Sequence, residues 1–117
     1  MQYSILNAKN SLPSTEELVE LYDAVGWSAY TRTPERLVPM LTGSRYLYVA
    51  RENTAEGTER LIGLVRAVGD GQTIAYIQDL LVHPQAQRHG IGSALLGKII
   101  ADFDREGIRQ RFITPDI

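Results

Sequence analysis

Cysteine is absent from this chain. That removes disulfides, thiolate metal sites and cysteine nucleophiles together. There are only two histidines, so a metal site would need carboxylates at ligand spacing; none stand so, and no metal is expected. No apolar run approaches the roughly 20 residues of a membrane span. The opening MQYSILNAKN lacks the charged-then-apolar order of a signal peptide. Long basic runs are missing too, and the net charge is −2 with a pI of about 5.6, which argues against a nucleic-acid stripe. The expectation is a cytoplasmic protein with neither a nucleic-acid nor a membrane partner.

What is present suits one ordinary domain spanning residues 1–117. Apolar residues make up 44% and charged residues 22%, normal values for a globular chain. At this length roughly two-thirds of the unfolded surface can be buried, so no staple is needed. QYSILN predicts a short first strand. Ser14 and Glu17 have capping-box spacing ahead of Leu18, Leu21, Tyr22 and Val25, which share one helical face, and Gly26 can end that helix. RTPERLVPMLTGS predicts a second, short helix with Thr33 as cap and Pro34 at its first position, limited or kinked by Pro39 and closed by Gly43.

Three strands are then predicted. RYLYVARE sets Tyr46, Tyr48 and Ala50 opposite Leu47, Val49 and Arg51; RLIGLVRAV follows a polar turn; TIAYIQDLLV is apolar enough to be covered on both faces. A long helix from about Gly90 to Arg105 follows, with Ile91, Leu95, Ile99 and Phe103 every four residues and Gly107 as its end. IRQRFIT predicts a last strand.

Chemistry concentrates where the third strand of the meander turns into the long helix, at QAQRHGIGSALLGKII. A helix N-terminus leaves backbone N–H groups unpartnered and carries partial positive charge, which makes it a ready anion site. Gly90 and Gly92 carry no side chains to hold a phosphate away, and Gln87, Arg88 and His89 add donors. The functional reading is a pyrophosphate cradle; the plainer one is that the glycines serve only the turn or its packing. The lysine and hydroxyl of a Walker A loop are missing, and a meander is not the strand-helix-strand setting of a dinucleotide fingerprint.

In these residues the sequence resembles the GNAT superfamily of acyl-CoA-dependent N-acetyltransferases. Its signature, Gln/Arg-x-x-Gly-x-Gly/Ala, is matched by Gln87-Arg88-His89-Gly90-Ile91-Gly92. The element order, one strand, two helices, three antiparallel strands, a helix and a strand, is similar as well, so the resemblance covers essentially the whole chain. It implies an α/β fold of the α+β type with a mixed, mostly antiparallel sheet. It also implies that acetyl-CoA is the co-substrate, its pyrophosphate held by backbone donors from about Arg88 to Ser93, including Ile91. Leu81 and Val82 would pair with the pantetheine arm where the fourth strand splays from the fifth. The implied reaction is acetyl transfer to a primary amine of a small molecule or an exposed amino group. A CoA-binding or interaction module without turnover is the alternative.

Such a reaction needs a neutral amine, whereas an alkylamine with the pKa of lysine, about 10.4, is almost fully protonated at pH 7. Asp79 is the candidate base or amine-orienting group, since it lies in an apolar strand where a carboxylate needs a partner. The plainer role is a salt-bridged structural aspartate. His83 is assigned to the turn. Trp27 and Tyr30 fall where the family walls its acceptor site and could pack on an amine by cation–π contact, or simply pack between helices.

The resemblance breaks at the C-terminus. A full family domain continues with another helix and two strands, and that helix usually carries a tyrosine suited to protonating the leaving thiolate. Here the sequence ends at IRQRFITPDI, and no tyrosine follows Tyr76. The general acid is therefore unassigned, and the chain is either naturally short or truncated. The final strand is expected to expose an edge, blunted by Arg109 and Arg111 or covered by a second copy in a homodimer.

Overall fold

The computed structural model describes residues 1–115. Five strands form one sheet in the order β1 (Tyr3–Asn7), β2 (Tyr46–Asn53), β3 (Glu59–Gly69), β4 (Ile74–Val82) and β5 (Gln110–Ile113). The first four are antiparallel neighbours, and β5 joins β4 in parallel. A parallel pair needs a crossover, and α4 (Ile91–Glu106) supplies it. The mixed, mostly antiparallel sheet is as expected.

Each face of the sheet carries its own core. Ile91, Leu95, Ile99 and Phe103, all buried, set α4 against Tyr46, Ala50, Ile62, Val65 and Ala67. On the opposite face α1 (Thr15–Ala24) and α3 (Leu37–Thr42) bring Leu18, Leu21, Tyr22, Leu37 and Leu41 onto Leu47, Val49, Leu64 and Leu81. The alternation read in RYLYVARE thus sends Tyr46 and Ala50 to one core and Leu47 and Val49 to the other. Gly63 sits under α4: a Cβ there would meet Leu95 Cδ1 at 3.1 Å and Ile91 Cγ2 at 3.2 Å, so the helix packs close because a side chain is missing.

The capping box forms. Ser14 Oγ accepts from Glu17 N–H at 3.1 Å, and Glu17 Oε1 accepts from Ser14 N–H at 3.0 Å, an arrangement that contributes about 1 kcal/mol. Gly26 follows the helix at φ 82°. The region after it differs from the expected single second helix. Ser28–Thr31 make one turn of helix, α2; Pro34–Arg36 make a 3-10 turn; α3 begins only at Leu37. Thr33 makes no side-chain cap. Pro39 is the third residue of α3, inside the first turn, where a missing N–H breaks no intrahelical bond. The proline does not kink α3 but limits its start: it has no N–H to donate to Glu35, four residues back, and the α-helix begins only at Leu37.

Candidate functional site

Two irregularities in the sheet shape the site. Along the β3–β4 ladder Arg66 pairs with Asp79 but Ala67 pairs with Ile77, so Gln78 is an extra residue on β4. Such a bulge bends a strand and shifts its side-chain phase. Ala75 and Ile77 face the α4 core, whereas beyond Gln78 the odd-numbered residues point the other way: Leu81 enters the α1 core and Asp79 meets Tyr22. Pairing with β5 ends at the same place. The register runs from Ile74↔Gln110 to Ile77↔Ile113, with Thr114 N–H donating to Ile77 O at 3.0 Å. From Gln78 to Val82, about 13 Å of strand at the ordinary rise, β4 has no partner on that edge among the described residues.

The free edge offers definite groups. His83 N–H donates to Ile62 O at 2.8 Å, and alternation along an antiparallel ladder then turns Leu81 toward β3 and Leu80 and Val82 toward the open edge. Val82 O there accepts from Gln87 Nε2 at 3.3 Å. Of the two residues expected to offer backbone to a ligand, Val82 stands at the edge, whereas Leu81 spends its backbone on β3 and its buried side chain in the core; Leu80 stands in its place.

A cavity lies at each end of this free run. At the Val82 end, about 370 Å³ is lined by Ala86, Gln87, Arg88, Gly90, Ile91, Gly92 and Ser93 with Val82. His83 opens the turn: its Nδ1 accepts from Gln85 N–H at 3.1 Å and its carbonyl from Ala86 N–H at 2.8 Å. Burial, then the charge of Arg60, lowers its pKa. Gln87 is extended, and Arg88 and Gly90 both adopt the left-handed region at φ 69° and 77°. A left-handed arginine is uncommon and costs free energy, which a functional loop can hold. Gly90 caps α4 without a side chain, and the first helical bond is Ala94 N–H to Gly90 O at 3.0 Å. The N–H groups of Ile91, Gly92 and Ser93 therefore have no intrahelical acceptor. At Gly92 a Cβ would touch only Val82 Cγ2, at 3.7 Å, so packing does not demand glycine there. His89 does not line the cavity; its carbonyl accepts from Tyr3 Oη at 3.4 Å.

At the bulge end a second cavity, also about 370 Å³, is lined by Gly26, Trp27, Ser28, Ala29, Tyr30, Gln78, Asp79 and Thr114. The structure thus brings Trp27, Tyr30 and Asp79 together. Asp79 is 1% exposed and its oxygens are taken. Oδ1 accepts from Tyr30 Oη at 2.8 Å; Oδ2 accepts from Tyr22 Oη at 2.8 Å and from Arg66 Nε. Burial works against the charge of Arg66, but Asp79 outweighs it and the guanidinium pKa is raised. Burial, followed by the charge of Asp79, pushes the Tyr22 phenol far up. Burial and the hydrogen bond to Asp79 raise that of Tyr30.

Tyr22, Arg66, Gln78, Leu80 and Thr114 were not picked out from the sequence. For Arg66 a signal existed: one arginine inside LIGLVRAV and one aspartate inside AYIQDLLV, in neighbouring strands of a meander, are the two halves of a buried pair. The bulge left no such mark. Among the described residues no three His, Asp or Glu side chains converge as a metal would require.

The sheet thus opens beside a glycine-capped helix, with one cavity at the cap and another at the fork. The profile of the Acetyltransferase (GNAT) family matches residues 12–116, and the chain belongs to this family. An uncharacterized N-acetyltransferase, ycf52-like, from Prochlorococcus marinus is 30% identical over 115 residues, 98% of this chain and 62% of that protein; the chain thus spans less than two-thirds of that relative's length. Among solved structures, a GNAT family acetyltransferase, SP0256, from Streptococcus pneumoniae TIGR4 superposes with a TM-score of 0.74 at 33% identity, covering 97% of this chain and 75% of that one. An aminoglycoside 6'-N-acetyltransferase complexed with coenzyme A superposes with a TM-score of 0.68 over 97% of this chain and 61% of that one; at 16% identity it shares the fold.

Proposed function

We propose that the chain transfers an acetyl group from acetyl-CoA to a primary amine by direct attack of the amine on the thioester: the C–N bond forms, the C–S bond breaks, the nitrogen gives up a proton and the CoA thiolate leaves to take one up from solvent. The observation that carries this reading is the pair of cavities joined by the unpaired stretch of β4. A ligand with an anionic end and a reactive end on an extended arm fits that arrangement. In this reading the N–H groups of Ile91, Gly92 and Ser93, with Gln87 and Arg88, hold the pyrophosphate. The edge groups of Leu80 and Val82 hold the arm. Acetyl-CoA supplies the activated acyl carbon at the fork. In this reading Leu80 N–H, the first edge donor past the bulge, stabilises negative charge on the thioester oxygen.

The amine enters beside Trp27 and Tyr30. Of the two roles open to Asp79, the orienting one is supported by its three donors: a carboxylate that accepts from Arg66, Tyr22 and Tyr30 and is shut from solvent is poorly placed to receive a substrate proton. The amine then arrives neutral or sheds its proton to water, and activity rises with pH toward the amine's own pKa. Thiol release from acetyl-CoA with a panel of primary amines tests the reading. Turnover that rises from pH 7 to about pH 9 is expected. Acetyl-CoA binding without release from any amine contradicts transfer.

The edge of β5 belongs to the same proposal as the contact between two copies, since Phe112 and Ile113 stand 47% and 46% exposed beside it.

A further inference from the structure

We infer that His83 is a positioning residue for acetyl-CoA: with its ring neutral it fastens the turn that carries the pyrophosphate cradle, and the cradle loosens when the ring takes up a proton. This rests on the acetyl-CoA reading above. The turn is short. β4 ends at Val82, His83 follows it, Pro84–Ala86 make a 3-10 turn, and Ala86 and Gln87 already line the cavity at the start of α4. The group that fixes this turn therefore aims the residues that would face the phosphates.

The His83 side chain is buried, and two donors point at it. Gln85 N–H lies 3.1 Å from Nδ1, and Arg60 Nη2 lies 3.2 Å from Nε2. A neutral imidazole has one bare nitrogen, and a protonated one has none. Arg60 has other acceptors: its Nε and Nη2 donate to Glu20 Oε1 at 3.2 and 2.8 Å, and its Nη1 donates to Gln85 Oε1 at 3.3 Å. The bare nitrogen is therefore assigned to Nδ1, where it serves the backbone, and the proton to Nε2. A proton on Nδ1 sets N–H against N–H inside the turn. Of the charges that face the ring, Arg60 on β3 opposes protonation, whereas Glu20 on α1 favours it but is engaged by Arg60. Burial, then Arg60, holds the ring below the ordinary imidazole range. The usual cap at such a position is a side-chain oxygen. Here it is a nitrogen that titrates.

The chain has two histidines, so their ring protons are readily followed by NMR as pH is varied, and the signal missing from His83→Asn is that of His83. A bound anion raises the pKa of a histidine near it. With a role in the fold alone, His83 would show a pKa unchanged or raised by acetyl-CoA. The expected result is the reverse: saturating acetyl-CoA lowers the pKa of His83 by at least about 0.5, equivalent to binding roughly threefold weaker once the ring is protonated. In calorimetry at about pH 7.5, where an ordinary imidazole is neutral, His83→Leu removes the acceptor and should weaken acetyl-CoA at least about fivefold. His83→Asn, whose oxygen can cap the same N–H, should recover affinity to within about twofold of the wild type. A His83 pKa unchanged or raised by acetyl-CoA, or wild-type affinity in a folded His83→Leu variant, would overturn the inference. Loss of the acetyl-CoA reading would show instead as a wild type that gives no heat of binding at any pH.

Discussion

Asp79 and Arg66 illustrate how a buried pair is judged by what its removal leaves behind. Each is nearly inaccessible, and each is the other's counter-charge. Replacing one strands the other, at a cost of about 3–5 kcal/mol, whereas replacing both with apolar residues of similar volume costs far less. Chemical denaturation of Asp79→Leu, Arg66→Met and the double variant is therefore expected to show strong positive coupling, the double variant being more stable than Asp79→Leu alone. Additive losses would mean that the two charges are not paired. Tyr22 adds a pH effect. Its folded pKa lies above that of a free phenol because of burial and then Asp79. The unfolded phenol loses its proton near pH 10 while the folded one keeps it, so this contribution is fully present below about pH 10 and is lost as pH rises beyond it. Tyr22→Phe should flatten the alkaline fall in stability by up to about 1.4 kcal/mol per pH unit. Identical slopes for the two proteins, measured by urea unfolding between about pH 9.5 and 11, would contradict the assignment.

Among the elements, those fixed by local rules were legible in the sequence and those fixed by the sheet were not. Ser14 and Glu17 announce α1, the four-residue recurrence from Ile91 to Phe103 announces α4, and Gly107 closes α4 at φ 72° in the left-handed conformation that suits glycine. RYLYVARE was readable from its alternation, and RLIGLVRAV from its β-rich run of residues, buried from Leu61 to Ala67. The bulge at Gln78 was not readable: nothing in AYIQDLLV marks where one residue is inserted, because the register belongs to the pair β3–β4 and not to either strand. Its consequence, that Leu80 rather than Leu81 faces the open edge, was hidden for the same reason. Pro34 misled because a proline in the first turn reads alike for a 3-10 turn and for an α-helix. The signature loop shows the two levels together. Residues 87–92 named the loop, but only the dihedral angles separate its glycines: Gly90 is required by its backbone at φ 77°, whereas Gly92 is helical and a Cβ there would make one ordinary contact, with Val82 Cγ2 at 3.7 Å.

The whole molecule is held by two cores on opposite faces of one sheet, and the site lies where that sheet divides. The scaffold is fixed by burial, whereas the fork is kept open by a bulge and a strand that departs. Among the described residues, β5 has a strand neighbour on one side only. Phe112 and Ile113 of β5 are exposed, and Tyr76 stacks on Phe112 with centroids 6.1 Å apart. An exposed apolar edge strand invites pairing. If two copies meet there, light scattering should give a dimer that dissociates on dilution, and Phe112→Lys should shift it to monomer. A monomer at every concentration would contradict the proposed contact.

The central claim is that the glycine-capped start of α4 holds the pyrophosphate of acetyl-CoA, and Gly92 tests it most directly. A Cβ there meets only Val82 Cγ2 at an ordinary 3.7 Å, and glutamate in the first turn suits both helix propensity and the dipole. Titration of acetyl-CoA into the wild type should stabilise it by about 2.7 kcal/mol at 100 times the dissociation constant. Gly92→Glu should be as stable as the wild type without ligand and should gain nothing from acetyl-CoA. A wild type unmoved by saturating acetyl-CoA, or a folded Gly92→Glu stabilised to the same degree, would contradict the account.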